Sequence, residues 1–193
     1  MQQLNDFVIV FSAGEEIPIN NLGDYLKIAL VGSEEMALGQ QTQFAWQESF
    51  ANALAALTSQ ETTYLPLKGQ KFALFNPKSP IGNPQISLDN PEFTTKYQWK
   101  ANAFDMADGI FCNFLKRSQS PIPLFEFGEG LRSGKMVVRC PDQYAFMPLV
   151  RLYCEKYGVP FLSGGSATAL TVVQSFFSFV PKFQEIQKYK LPE

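Results

Sequence analysis

Five short apolar runs, each followed or preceded by a segment of helical periodicity, constrain this chain more than any other feature. They are Leu26–Val31 (LKIALV), Phe72–Phe75 (FALF), Ile110–Phe114, Met136–Arg139 (MVVR) and Val159–Leu162. Runs this short, with no alternation of polar and apolar residues, read as strands buried on both faces. Between them, Trp46, Phe50, Ala53, Leu54 and Leu57 recur at helix spacing within Phe44–Leu57. Trp99, Ala103, Met106 and Ala107 share one face of a helix expected over Phe93–Met106. Further helices are expected over Leu124–Arg132, Tyr144–Tyr157 and Ser166–Phe179, with Gly134 and Gly158 as stops and Ser166 as an N-cap.

Strands that alternate with helices pair in parallel and are covered on both faces. The sequence therefore predicts an α/β fold: a flavodoxin-like, doubly wound parallel sheet of about five strands. An earlier apolar run, Phe7–Phe11 (FVIVF), adds an N-terminal edge strand. One domain is expected over 1–193, with a core of about 26–162, the extra strand within 1–25 and a C-terminal helix over 166–182.

Composition narrows the function. The net charge is −2 and no Lys/Arg cluster is present, so binding of nucleic acid through a basic surface is not expected. No apolar run approaches the ~20 residues of a spanning helix, and the N-terminus lacks the pattern of a signal peptide. Cys112, Cys140 and Cys154 are odd in number and far apart; they read as small buried hydrophobes in a reducing, cytoplasmic chain. Histidine is absent, which removes Ser-His-Asp and Cys-His catalysis and any His-based metal site. No metal and no cofactor are expected. Any acid–base chemistry has to come from carboxylates, Tyr, Lys, Cys or the substrate.

The most informative motif is Ser120–Lys135, SPIPLFEFGEGLRSGK, after FDMADGIFCNF at Phe104–Phe114. Together they read as strand, loop and helix. Pro121 and Pro123 suit a loop or first helical turn, which puts Glu126 at or near a helix N-terminus beside the C-terminal end of a strand. Ligands bind in that crevice of an open α/β sheet. A carboxylate there can act as a nucleophile or stabilise a cation, although acids are also common in first helical turns for the dipole alone. Gly128, Gly130 and Gly134 do not have dinucleotide-fingerprint spacing, and Gly164-Gly165-Ser166 lacks the P-loop lysine.

In their order, these residues resemble the nucleoside 2-deoxyribosyltransferase-like superfamily. The likeness runs from about Lys27 to Pro160 and is carried by Gly32-Ser33, by Ala107-Asp108 before the strand, by Glu126-Phe127-Gly128, and by VVRCP. The resemblance implies a flavodoxin-like fold and cleavage of an N-glycosidic bond, with transfer of the deoxyribosyl group to another base or to water. It implies that Glu126 is the nucleophile. It further implies that Gly32, Ser33, Ser120 and Gly128 lie at the ligand.

The chain departs from the pattern at several positions. Lys100 stands where the resemblance implies an acid, and Glu35 where hydrolases carry a phosphate-binding arginine. Ala29 replaces an aromatic residue, and Leu149 an asparagine. Asp108 and Asp105 are the candidates to replace the missing acid. Asn76 and Asn113, at strand ends, are candidate ligands for sugar hydroxyls or a base edge; such asparagines also form ordinary turns. Three readings stay open: a glycosidase or deoxyribosyltransferase that uses Glu126, a catalytically degenerate binder of a nucleoside or nucleotide, and an oligomeric interaction protein. A homodimer or higher homo-oligomer is expected, because eighteen phenylalanines are many for one such core and Phe176, Phe177 and Phe179 crowd the last helix.

Overall fold

A computed structural model describes residues 1–33, 46–78, 87–116, 118–164, 168–181 and 183. Among these, seven strands form one sheet in the order β1-β2-β4-β3-β5-β6-β7. The strands are β1 (Gln2–Gln3), β2 (Val8–Ser12), β3 (Leu26–Gly32), β4 (Phe72–Asn76), β5 (Gly109–Asn113), β6 (Met136–Cys140) and β7 (Phe161–Ser163). All neighbours pair in parallel except β1, which runs antiparallel to β2. Strands β3 to β7 alone have the flavodoxin-like order. Strand β2 adds to β4 in parallel, from Val8 against Phe72 to Ser12 against Asn76. The expected edge strand is thus present, but β1 lies outside it. The sheet exceeds five strands for that reason.

The helices are α1 (Trp46–Thr58), α2 (Pro91–Met106), α3 (Ile122–Gly130), α4 (Met147–Tyr157) and α5 (Ala169–Phe177). Successive strand residues point to opposite faces, and the buried side chains accordingly divide into two cores. On one face Ile28, Leu30, Leu74 and Phe111 pack with Phe50 and Leu54 of α1 and with Phe176 and Phe177 of α5. On the other, Ala29, Val31, Phe75 and Cys112 pack with Trp99 and Phe104 of α2, Phe127 of α3, and Val150 and Cys154 of α4.

Phe176 and Phe177 are therefore core residues, not the exposed pair that a partner would cover; only Phe179 of that trio is exposed. Thr168 caps α5, its hydroxyl accepting the Thr171 N–H; Ser166 lies outside the described residues, as does Glu35. Helix α4 ends at Gly158 in the left-handed conformation (φ 65°), as its sequence predicts.

Candidate functional site

The crevice between β3 and β5 is where the strand order reverses, and its walls are defined by glycine. Strand β3 ends at Gly32 with φ 118°. A Cβ there would sit 2.2 Å from the Asn113 carbonyl oxygen, so only glycine lets the two strand ends meet. Ser33 then ties them together. Its N–H donates to the Asn113 carbonyl (2.9 Å), and its hydroxyl accepts the Leu115 N–H (3.1 Å). The Trp46 indole N–H donates to the Ser33 carbonyl (2.7 Å), which fixes the start of α1. Asn113 is held as firmly, its side-chain oxygen accepting Arg139 Nη1 at 3.1 Å.

Glu126 enters this knot from α3. It is the fifth of nine helical residues and so lies in the second turn, not the first; α3 has no acid in its first turn. The dipole argument for its charge therefore weakens, since the effect fades beyond the end turn. Two specific donors take its place. Gly32 N–H donates to Oε2 at 2.9 Å, and the Lys100 ammonium donates to Oε1 at 2.7 Å. Both side chains are deeply buried, 7% exposed for Glu126 and 5% for Lys100. The Lys100 ammonium also lies 4.9 Å from the centre of the Tyr97 ring. A carboxylate and an ammonium taken out of water together hold each other ionised only through such close contact.

Other candidates lie apart from this pair. Asp108 precedes β5 and accepts the Lys27 N–H at 2.9 Å, with an ion pair to Lys27 Nζ at 3.3 Å. It pins the start of β5 to the start of β3, at the end of the sheet opposite Glu126. Asp105 is an exposed residue of the last turn of α2. Ser120 is half-buried, and its hydroxyl accepts the Ile122 N–H at 3.3 Å, bracing the first turn of α3. Gly128 is exposed, with room for a Cβ, so no close approach requires glycine there. Gly130 is the packing glycine of α3, because a Cβ would meet Met136 Cε at 1.9 Å. Asn76 is bonded to the Lys78 N–H and lines a cavity on the α1 side of the sheet.

The three cysteines are free and buried. Burial, helped by the Glu126 charge, holds the Cys112 thiol well above its ordinary range; burial pushes Cys140 and Cys154 up to about 12. None is a nucleophile at neutral pH. Among the described residues, no group of three or more His, Cys, Asp or Glu could hold a metal ion. Nor is any helix there long and apolar enough to cross a membrane.

The model of the family described as "Nucleoside 2-deoxyribosyltransferase like" matches residues 32–144, more than half of the chain. The chain belongs to this family. A search of curated proteins finds no match. The nucleoside 2-deoxyribosyltransferase-like match begins at Gly32 and ends at Tyr144. It takes in the Gly32–Ser33 knot, Lys100, Asn113 and Glu126, and leaves out β1 and β2.

Lys100 is the residue whose role the sequence hid. Its departure from the family's acid is visible, but its pairing with Glu126 is not. The available signal was its position four residues after Lys96, on the apolar side of α2 near Trp99 and Ala103; both lysines are buried. Lysines on a buried helix face need a partner.

Proposed function

We propose that this protein binds a nucleoside or a nucleoside-like small molecule at the β3–β5 crevice without turning it over. The observation that carries this reading is the 2.7 Å contact between Lys100 and Glu126. A nucleophile needs a free lone pair aimed at the anomeric carbon. Here one carboxylate oxygen is engaged by an ammonium and the other by the Gly32 N–H. Attack would have to come from an oxygen already engaged by a donor, and an ammonium or N–H bound to a carboxylate lowers its nucleophilicity. Membership of the family supports a nucleoside-like ligand, and the neutral charge balance of the pair supports an uncharged one. The test pairs calorimetry with chromatography on deoxynucleosides. The expected result is binding with no free base, and base release that vanishes in Glu126→Gln would overturn the reading.

A second reading is N-glycosidic cleavage or deoxyribosyl transfer. It is favoured by the position of the Glu126 carboxylate at the end of β3, against Gly32. In that reading a Glu126 oxygen bonds to the anomeric carbon as the bond to the base nitrogen breaks. The electron pair leaves with the base, which takes a proton from the Lys100 ammonium. Water or a second base then displaces Glu126, and its proton returns to the Lys100 amine. Lys100 is the proton donor of this scheme, because Asp108 and Asp105 are remote from Glu126.

A second copy of the chain is the proposed partner. The support is an exposed apolar set on α3 and α4, namely Phe125, Leu149 and Leu152. Light scattering that gives a monomer at every concentration would remove this proposal.

A further inference from the structure

On the other face of the sheet from Glu126, a cavity of about 440 Å³ opens between α1 and the ends of β2 and β4. That volume lies within the range of small-molecule sites. Leu4, Val10 and Ala51 give it apolar walls, and Ser12, Gln47 and Asn76 supply polar groups. Gln47 is the informative one. It is 2% exposed, yet its amide makes no hydrogen bond among the described residues. The amide is not sealed in the core: it opens onto the cavity, where water or a ligand can bond it. Asn76 uses its side-chain oxygen on the Lys78 N–H, which leaves its amide N–H groups available to the cavity. Glu48 and Lys78, also in the lining, pair at 3.0 Å and are about half exposed. The lining carries no net charge to attract an ion.

Leu4, Val10 and Ser12 precede the segment that matches the family, residues 32–144. The cavity therefore uses residues that lie before the matched segment as well as residues within it, among them Gln47 and Asn76. We propose that it is a separate small-molecule site, taking a neutral, planar group that presents a hydrogen-bond donor beside an acceptor. A side-chain amide pairs with such an edge in two bonds at once. A free nucleobase and a primary carboxamide share this chemistry.

The probes are adenine and nicotinamide, titrated into ¹⁵N-labelled protein. The expected result is a saturable shift of the Gln47 and Asn76 side-chain NH₂ signals. Response to adenine alone assigns a base, to nicotinamide alone a carboxamide, and to both the shared edge. Gln47→Leu should weaken binding about tenfold or more, and Glu155→Gln, an exposed change on α4, should leave it unchanged. If Gln47→Leu does not fold, Ala51→Leu, which fills the cavity, should abolish the shifts instead. No saturable shift at millimolar probe overturns the proposal. So do shifts confined to the Gly32 and Ser33 amides, which would assign the probe to the β3–β5 crevice, or binding that survives the Gln47 and Ala51 changes.

Discussion

The two strand-end regions of this molecule use their polar groups in opposite ways. At the ends of β3 and β5, Gly32, Ser33, Asn113, Lys100 and Glu126 are buried and bonded to one another. At the ends of β2 and β4, Gln47 is buried beside a cavity and bonded to nothing among the described residues. The first region has the residues of the family and an interior already satisfied. The second is built partly from residues before the matched segment and has capacity left over. Family membership and spare hydrogen-bonding capacity are thus separate properties, and only the second is read from hydrogen bonds.

The comparison breaks most easily at Lys100. Lys100→Met strands the Glu126 carboxylate in the core, and removing one partner of a buried pair costs about 3–5 kcal/mol. Adding Glu126→Gln to that variant should recover most of the loss, since no buried charge remains. Urea denaturation of the single and double variants measures both. If Lys100→Met is neutral, the crevice is wetter than its burial implies.

Gly32→Ala should cost slightly less, about 3 kcal/mol, from the positive φ and the contact with Asn113. The same denaturation series reads it. A neutral outcome would mean that β3 and β5 can part at this point.

A pH series sharpens the picture of a closed interior. The ordinary thiol value is 9.0, and burial raises Cys140 and Cys154 to about 12. The unfolded chain then loses these protons first as pH rises. Stability from the two thiols is complete below about pH 9 and falls between there and about 12. Changing both cysteines to alanine should flatten that alkaline decline, measured as the unfolding midpoint against pH.

The smallest effect belongs to the open region. Gln47→Leu removes an amide with no partner among the described residues, so unliganded stability should change by less than about 0.5 kcal/mol or rise. A large loss would show that Gln47 is already satisfied.

The strands were legible because each interior one is a short, mostly apolar run without alternation, which suits a doubly covered sheet. Strand β1 was not, since two exposed glutamines carry no periodic signal. Glu126 was legible as a residue facing the β3–β5 crevice, but its depth was not. Its burial depends on Lys100, 26 positions away and on another helix. Phe176 and Phe177 misled for a related reason. A cluster of aromatics gives no hint of which surface receives it, and here Phe50, Phe72 and Phe111 do. The cavity escaped sequence reading because its walls join the first strands to a helix more than thirty positions later.

The sheet narrows towards both sides: β1 has two residues and β7 three, against five to seven in the strands between. Few backbone groups are left at either margin for a foreign strand to pair with, which discourages edge-to-edge aggregation. Loss of β1 would instead bare Val8–Ser12, a largely apolar strand, along the whole of one side. Two glutamines with no part in the core thus cover the middle of an apolar strand's outer side.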